Sequence, residues 1–194
     1  MLTIYLARHG QTEYNVQKRI QGHIDTPLTD DGYKNAFLVA DRLKGIKFDH
    51  IYSSDLGRAF ITTQVLTEKL NLENRIVREK RLREQNFGEL TGMLLKDAFE
   101  VPNFRGNPEF VPENGESFKM LQKRIVDFII TLEKRHKDKT ALIVTHGGCI
   151  RSLLGYFNRT TLKECVSLNL CNEYIGKFLI DKGTFISYEK LNGI

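Results

Sequence analysis

Two short apolar runs, each followed by a His-Gly pair, constrain the fold of this chain more than any other feature of its sequence. Residues 2–7 lead to His9, and residues 141–144 lead to His146. Short, continuously apolar runs are typical of strands buried in a parallel sheet. Residues that directly follow such strands meet at one edge of the sheet, where open α/β sheets bind their ligands. We therefore expect the two histidines to lie close together.

The order of the remaining patterns predicts the fold class. Strand patterns and helix patterns alternate: strands at 3–7, 48–53, 75–77 and 140–145, helices at 29–45, 57–70, 116–135 and 148–157, and an antiparallel hairpin at 174–180 and 184–191. Such alternation predicts a three-layer α/β/α sandwich around a mostly parallel sheet with an antiparallel edge. A chain of 194 residues suits one domain, which we expect to span residues 1–194.

Two segments lack a clear periodicity. The polar segment 9–27 is predicted to be a long loop with ligand-facing groups. Between residues 82 and 112 the pattern fades, and three of the four prolines of the chain lie there together with three glycines. We expect this second segment to form a partly helical cap inserted over the site.

Composition excludes several classes of protein. Charged residues make up 27% and hydrophobic residues 41%, as in ordinary globular domains. No run approaches the roughly 18 apolar residues of a membrane span, and residue 1 leads into a strand and not into a secretion signal. The three cysteines (Cys149, Cys165 and Cys171) show no metal-binding spacing and suit a reducing compartment. We therefore predict a cytoplasmic protein without membrane attachment.

The net charge of +5 raises the question of a nucleic-acid partner. The densest basic stretch, residues 78–83, contains an interleaved glutamate, the chain has no Trp, and no recognition-helix motif accompanies the charge. A mildly basic surface equally attracts small anionic phosphate esters. We expect such an ester as the partner, and no nucleic acid.

Chemistry-bearing side chains cluster after the predicted strands: Arg8, His9, Asn15, Arg58, Glu84 and His146. Two guanidiniums suit a tetrahedral dianion, because their forked donors hold phosphate in a fixed geometry. Asn15 adds a neutral donor. Gly147 directly precedes the helix predicted from about residue 148, and the dipole of that helix would attract the same anion. The pattern predicts a phosphate-binding pocket.

The two histidines and the carboxylate suit phosphoryl transfer. His9 would be a nucleophile if neutral, and two nearby positive charges lower a histidine pKa towards that state. His146 is predicted to stabilise an equatorial oxygen, either as a charged group or as a hydrogen-bond donor. Glu84 would donate a proton to the leaving alkoxide and then accept one from water.

Two other interpretations use the same residues. His9 and His146 with Glu84 or Asp25 would make metal ligands, but no HExxH, HxH or DxD motif is present and a cation fits poorly beside two arginines. Residues 53–55 (Ser-Ser-Asp) lack the GxSxG frame of a serine nucleophile. We predict neither a metal nor a serine mechanism.

Several segments, in order, resemble the histidine phosphatase superfamily with its phosphoglycerate mutase-like fold: residues 6–12, 15, 19–22, 25–32, 52–59, 82–88, 113–117 and 144–148. The resemblance implies a phosphohistidine at His9 and Glu84 as the proton donor. It also implies a pocket formed by Arg8, Arg58 and His146 with Asn15, and neither a metal nor a dissociable cofactor.

Specificity is less constrained. The resemblance implies that Gln21, Gly22 and the cap contact the rest of the substrate, while Glu116 suits either a helix cap or a support of the pocket. The mutases of the family resemble longer chains whose sequence at this place looks like Glu-Arg-His-Tyr-Gly. This chain is shorter and has Glu-Gln-Asn-Phe-Gly at 84–88, and both differences favour a hydrolase. The chain resembles the broad-specificity phosphatases and the α-ribazole phosphate phosphatases of the family. Phosphoserine and sugar phosphates are further candidate substrates. A phosphoglycerate mutase-type transferase, a non-catalytic phospho-ligand binder and a homodimer through the apolar hairpin stay open.

Overall fold

The computed structural model describes residues 1–73, 75–104, 106–161, 164–165 and 168–191. The elements follow in the order β1 (Leu2–Arg8), α1 (Glu13–Val16), α2 (Asp30–Arg42), β2 (His50–Ser54), α3 (Gly57–Lys69), β3 (Ile76–Glu79), α4 (Leu95–Ala98), α5 (Phe118–Arg135), β4 (Thr140–Thr145), α6 (Gly147–Asn158), β5 (Ile175–Asp181) and β6 (Thr184–Lys190). Two 3₁₀ turns, Lys80–Leu82 and Gly88–Leu90, lie between β3 and α4. Within these residues no helix is long and apolar enough to cross a membrane.

One sheet organises the described residues, with the strand order β3-β2-β4-β1-β5-β6. The first four strands in this order are parallel, and β5 and β6 add an antiparallel edge. The predicted mostly parallel sheet with an antiparallel edge is confirmed. In the register of β1 with β4, Arg8 lies opposite Thr145, so the residues after both strands emerge side by side.

Alternate residues of the central strands face two separate apolar layers. Leu2, Ile4 and Leu6 of β1 pack with α5 and α6, whereas Tyr5 and Ala7 pack with α2 and α3. Strand β4 divides in the same way between the two layers. Because strand side chains point alternately to the two faces, both faces of the central strands must be apolar, as the sequence shows. The three-layer α/β/α arrangement follows.

The helices begin at polar caps close to the predicted positions. Thr29 accepts the backbone N–H of Gly32 at the start of α2, and Ser117 accepts that of Met120 at the start of α5. Helix α5 therefore begins at Phe118 and not at residue 116, because the Ser117 hydroxyl satisfies one of the free N–H groups of the first turn.

The segment after β1 is not an uninterrupted loop, so that expectation is wrong in detail. Thr12 and Asn15 form a capping box that starts the four-residue helix α1. Before it, Gly10 packs directly on Gly32, where an added Cβ would lie 2.3 Å from the Gly32 carbonyl oxygen. Only glycine allows this approach, which fixes the end of β1 against the start of α2.

The segment between β3 and α5 packs against this same loop. Ile20 forms a small apolar cluster with Leu90 and Ala98. The Ile20 N–H donates to the Met93 carbonyl at 2.9 Å, and the Gly92 N–H donates to the Ile20 carbonyl at 2.8 Å. The loop after β1 and the inserted segment are therefore joined by main-chain hydrogen bonds and by a shared apolar cluster.

Candidate active site

The two histidines expected to lie close together do so at the carboxyl ends of β1 and β4. The ring centroids of His9 and His146 are 5.1 Å apart, and the residues are 3% and 0% exposed. The His9 N–H donates to the Thr145 carbonyl at 3.0 Å, which continues the pairing of the two strands beyond their ends. The sheet register thus sets the spacing of the two imidazoles.

The orientation of His9 leaves one ring nitrogen free to react. Its Nδ1–H donates to the Gly10 carbonyl at 2.7 Å, so the neutral ring carries its lone pair on Nε2. Burial, then the positive charges of Arg58 and Arg8, hold the pKa of His9 well below its ordinary value of 6.5. The expected lowering of this pKa is found, with burial as its largest cause. A neutral imidazole with a free Nε2 is the form that acts as a nucleophile.

Arg8 extends from the last position of β1 into the site. Its Nη1 donates to the Leu170 carbonyl, and its buried Nε has no hydrogen-bond partner among the described residues. Burial, followed by the charge of Arg151, lowers the pKa of Arg8 to about 10. The guanidinium therefore stays charged at neutral pH.

Arg58 enters from the first turn of α3 and is almost completely fixed by the loop before α2. Its Nη1 donates to the Ile24 carbonyl at 2.8 Å and to Asp25 Oδ1 at 3.1 Å, and its Nη2 donates to the Gly22 carbonyl at 2.8 Å. The other Asp25 oxygen accepts the Gly57 N–H at 2.6 Å and so caps α3. Within the part of the chain that the structure describes, Nε is the one buried nitrogen of the Arg58 guanidinium without a partner.

His146 directly precedes α6 and, like the two arginines, combines a hydrogen-bonded nitrogen with a buried nitrogen that has no partner among the described residues. Its Nε2 lies 2.8 Å from the hydroxyl of Ser54, and its buried Nδ1 has no partner in any of the described ranges. Burial, then the charges of Arg58 and neighbouring groups, holds the pKa of His146 well below 6.5.

These three nitrogens share one property. In the described part of the chain, the buried side-chain nitrogen and oxygen atoms without a hydrogen-bond partner are Arg8 Nε, Arg58 Nε and His146 Nδ1. Leaving a buried donor unpaired costs about 1–3 kcal/mol, and folded proteins keep such atoms rare. Three of them around one neutral histidine describe a site built for an anion with several oxygens.

Glu84 lies between the 3₁₀ turns and reaches the start of α6. Its Oε2 accepts the Gly148 N–H at 3.0 Å, and its Oε1 accepts the Gln85 N–H at 2.8 Å. A Cβ at position 148 would come within 2.1 Å of Oε1, so a larger residue there would displace the Glu84 carboxylate. The Glu84 carbonyl accepts from Arg124 at 2.8 Å and from His23 Nε2 at 2.9 Å. Main chain and side chain together hold the carboxylate at the edge of the site.

Glu116 supports this arrangement and is not the helix cap. Its carboxylate binds Arg124 and accepts the N–H of Asn86 at 2.9 Å. Since Ser117 caps α5, the second of the two roles considered for Glu116 is the one that its contacts fit.

Asn15 is oriented by two donors. Its Oδ1 accepts the Thr12 N–H at 3.1 Å and the Nδ2–H of Asn172 at 3.2 Å. Asn172 also donates to the His9 carbonyl at 3.1 Å. Because the oxygen of Asn15 receives both bonds, its amide nitrogen is directed away from them.

The remaining predicted positions, Gln21, Gly22 and Gly147, lie against the other residues of the site. Gln21 donates to Thr12 Oγ1 at 2.5 Å, and the carbonyl of Gly22 holds Arg58. At Gly147, a Cβ would lie 3.1 Å from Arg151 Nη1 and 3.5 Å from Arg8 Nε. The predicted site residues therefore lie at one edge of the sheet, although Gln21 and Gly22 make contacts that support the pocket.

Sequence reasoning missed several supporting groups: Ser54, Arg124, Arg151, Asn172 and Thr62, whose hydroxyl accepts the Gly10 N–H at 3.0 Å. Ser54 was considered only as part of an unsupported serine motif. Asn172 had no recognisable signal, since its partners lie near the other end of the chain. Arg151 is one helical turn after Gly147, and this spacing was the one signal that could have identified it.

A metal site was the alternative use considered for these side chains. Asp25, the alternative ligand, is bound to Arg58, and among the described residues no group of three or more His, Cys, Asp or Glu is placed to hold a metal ion.

Fold and site together define an α/β protein with a cluster of buried nitrogen donors at the carboxyl edge of its parallel strands. The sequence profile of the histidine phosphatase superfamily (branch 1) matches residues 4–191. The chain belongs to this superfamily and is an enzyme of the phosphatase type. The predicted phosphoglycerate mutase-like fold is confirmed.

Three similar proteins illustrate the range of the family. Phosphoglycerate mutase-like protein 4 of Arabidopsis thaliana is 37% identical over 77% of this chain and 68% of its own length. Metal-independent phosphoserine phosphatase of the same plant is 31% identical over 95% and 82%. The crystal structure of phosphoserine phosphatase from Entamoeba histolytica in complex with 3-phosphoglyceric acid has a TM-score of 0.84, with 28% identity and coverage of 97% and 96%.

Proposed function

We propose that this protein is a metal-independent phosphomonoesterase that hydrolyses small phosphate esters through a phosphohistidine at His9. The observation that carries the proposal is the set of three buried, unpartnered nitrogens on Arg8, Arg58 and His146 around a neutral His9. A phosphoryl group supplies the oxygens that these donors lack, and His9 Nε2 supplies the lone pair.

The reaction then takes two steps. In the first, His9 Nε2 attacks phosphorus, the bond from phosphorus to the ester oxygen breaks, and the Glu84 carboxyl gives its proton to the departing alkoxide. In the second, Glu84 takes a proton from water, the oxygen attacks phosphorus, and His9 leaves as a neutral imidazole. Phosphate is released and Glu84 is protonated again.

The pocket stabilises the transferring group without a metal ion or other cofactor. Two guanidiniums and the His146 ring would offer their unpartnered nitrogens to the phosphoryl oxygens, and Asn15 would add its amide nitrogen. His146 precedes α6 without a side-chain cap, so the first turn of that helix offers its positive end to the anion. The proton donor and the anion site meet because Glu84 binds the Gly148 N–H of this same turn.

Phosphoserine is the first substrate we would test. A relative that matches over 82% of its own length is named metal-independent phosphoserine phosphatase. This name supports phosphoserine as the substrate above α-ribazole phosphate. The inserted segment 82–112 would cover the ester as a cap, because it is joined to the loop that carries Gln21 and Gly22.

We also propose a homodimer, a cytoplasmic location and no nucleic-acid partner. Arg81 and Arg83 of the basic stretch bind Glu79 and Asp55, which supports the absence of a nucleic-acid partner. The edge strand β6 exposes Ile186, which supports a homodimer through the hairpin. Cys149 and Cys165 are buried thiols outside any disulfide, which supports a cytoplasmic location.

A substrate panel tests the proposal. Phosphate release is measured from phosphoserine, 3-phosphoglycerate, α-ribazole phosphate and an aryl phosphate, with a chelator present and with His9→Ala in parallel. We expect chelator-resistant release that is lost in the variant. Isomerisation of 3-phosphoglycerate without release would establish a mutase instead, and tight phosphate binding without turnover would establish a binding protein.

A further inference from the structure

We propose that Ser54 is a positioning residue that fixes His146 as a neutral ring with its proton on Nδ1, so that this N–H donates to the bound phosphoryl group. The inference deepens the proposed function and rests on the same site. It assigns a role to a side chain that the sequence did not identify, and it decides between the two roles left open for His146.

The hydrogen bonds around Ser54 set the direction of its hydroxyl proton. Its Oγ accepts the N–H of Leu56 at 3.3 Å and lies 2.8 Å from His146 Nε2. The adjacent Ser53 has other partners, since its hydroxyl donates to the Ser54 carbonyl at 2.8 Å and accepts from Thr63 at 3.0 Å. The Ser54 O–H therefore has the lone pair of His146 Nε2 as its acceptor.

This arrangement determines what His146 presents to the site. A neutral imidazole carries one proton, so a ring that accepts at Nε2 must donate at Nδ1. Nδ1 is the buried, unpartnered ring nitrogen. The opposite tautomer would turn the Nδ1 lone pair towards an anion and leave the Ser54 proton without this acceptor, and both changes are unfavourable.

A doubly protonated ring is disfavoured by the groups that face it. Arg58, Arg8 and Arg124 carry positive charge near the ring, and His9 lies beside it. His146 is also completely buried. A further cation in this place would be both desolvated and repelled by its neighbours.

The two histidines are thus prepared for opposite tasks by different partners. The Gly10 carbonyl accepts only, so it keeps the proton of His9 on Nδ1 and frees the Nε2 lone pair. The Ser54 hydroxyl donates, so it occupies the Nε2 lone pair of His146 and leaves Nδ1–H free. One ring becomes the nucleophile and the other a neutral donor.

Amide substitutions at position 146 separate a neutral donor from a charge. The side-chain nitrogen of Asn takes the place of Nδ1, whereas that of Gln takes the place of Nε2. We expect His146→Asn to retain a kcat/KM about tenfold or more above that of His146→Gln and His146→Ala, because one oxyanion donor contributes about 10²–10³-fold. Equal loss in all three variants would overturn the assignment.

A spectroscopic measurement tests the tautomer in the unaltered protein. The ¹⁵N chemical shifts of His146, with labelled histidine and saturating inorganic phosphate, distinguish protonated from unprotonated ring nitrogens. We expect a protonated Nδ1 and an unprotonated Nε2. A protonated Nε2, alone or with Nδ1, would overturn the proposal even if His9→Ala abolishes hydrolysis, so its failure is distinguishable from that of the proposed function.

Two neighbouring serines provide a matched pair of variants. Ser54→Ala should shift the His146 tautomer towards Nε2–H and lower kcat about tenfold, with a smaller effect on KM. Ser53→Ala removes a hydroxyl of the same strand that does not contact the ring, and should keep the wild-type ¹⁵N pattern. An unchanged ¹⁵N pattern in Ser54→Ala, with the fold retained, would show that Ser54 does not set the tautomer.

Discussion

Two pairs of histidines lie at opposite ends of the same sheet, and their comparison shows what distinguishes a site from a contact. His9 and His146 follow the carboxyl ends of β1 and β4, with ring centroids 5.1 Å apart. His50 begins β2 and His136 follows α5, with ring centroids 3.7 Å apart. The second pair is the closer one, so proximity of the rings is not the criterion.

The partners of the rings make the difference. His136 Nε2 shares a hydrogen bond of 2.8 Å with the hydroxyl of Tyr52, and both histidines of this pair are partly exposed. At the carboxyl end, the rings are buried beside two arginines, and three nitrogens there have no partner among the residues that the structure describes. Buried donors without partners, and not neighbouring imidazoles, indicate where an anion binds.

The largest expected effect tests this contrast directly. His9→Ala removes the nucleophile and should abolish turnover, whereas His50→Ala and His136→Ala remove rings that the reaction does not use. Initial rates with phosphoserine and an aryl phosphate are measured for His9→Ala and for the two control variants. Wild-type rates in His9→Ala, or a loss in the two control variants comparable to that of His9→Ala, would break the comparison.

The arginines should show the next largest effect. Arg8→Lys and Arg58→Lys keep a charge but lose the Nε–H, and each should raise the barrier of kcat/KM by about 3 kcal/mol, in line with charge-assisted contacts and oxyanion donors. Weaker binding of inorganic phosphate, measured by calorimetry, should accompany the loss. Arg78→Lys is the control, because Arg78 stacks on Phe60 at the sheet edge formed by β3. Unchanged rate and phosphate affinity at position 8 or 58 would exclude that arginine from the pocket.

The effect of Glu84→Gln should depend on the ester. Loss of the proton donor should cost about 10²-fold with a poor leaving group such as the serine alkoxide, and much less with an aryl phosphate. The measurement is kcat/KM against leaving-group pKa, with the exposed Glu89→Gln as a control. An equal loss for all leaving groups would assign Glu84 a structural role only.

The smallest effect concerns stability. Because His9 and His146 have lowered pKa values in the folded state, the unfolded chain binds more protons below pH 6.5. Their stabilisation is therefore complete above that pH and falls as pH decreases, by up to about 1.4 kcal/mol per pH unit for each ring. Urea unfolding between about pH 5 and 8 measures this slope. His146→Asn should flatten it more than His136→Asn, and the reverse order would contradict the burial argument.

The sequence allowed a correct prediction of those parts of the fold that depend on the pattern of a single strand. The apolar runs ending at residues 7 and 144 fixed the parallel pairing, and this pairing placed Arg8 beside Thr145. Helix α1 was missed, because four residues carry no periodicity and the Thr12–Asn15 capping box alone starts it.

The supporting contacts of the site were less accessible. Ser54 and His146 are 92 residues apart, and their contact depends on the order of β2 and β4 in the sheet. Asn172 meets His9 only after the chain has passed α6 and turned back towards β1. Local sequence reveals the residues of a site more readily than the groups that orient them.

The most direct test of the account is to trap the intermediate. The enzyme is mixed with phosphoserine, quenched in alkali within the first turnover, and the phosphorylated residue is identified by mass spectrometry and ³¹P NMR. We predict a phosphoryl group on Nε2 of His9, absent in His9→Ala and longer-lived in Glu84→Gln with an aryl phosphate. Phosphorylation of another residue, or full turnover in His9→Ala, would contradict the account.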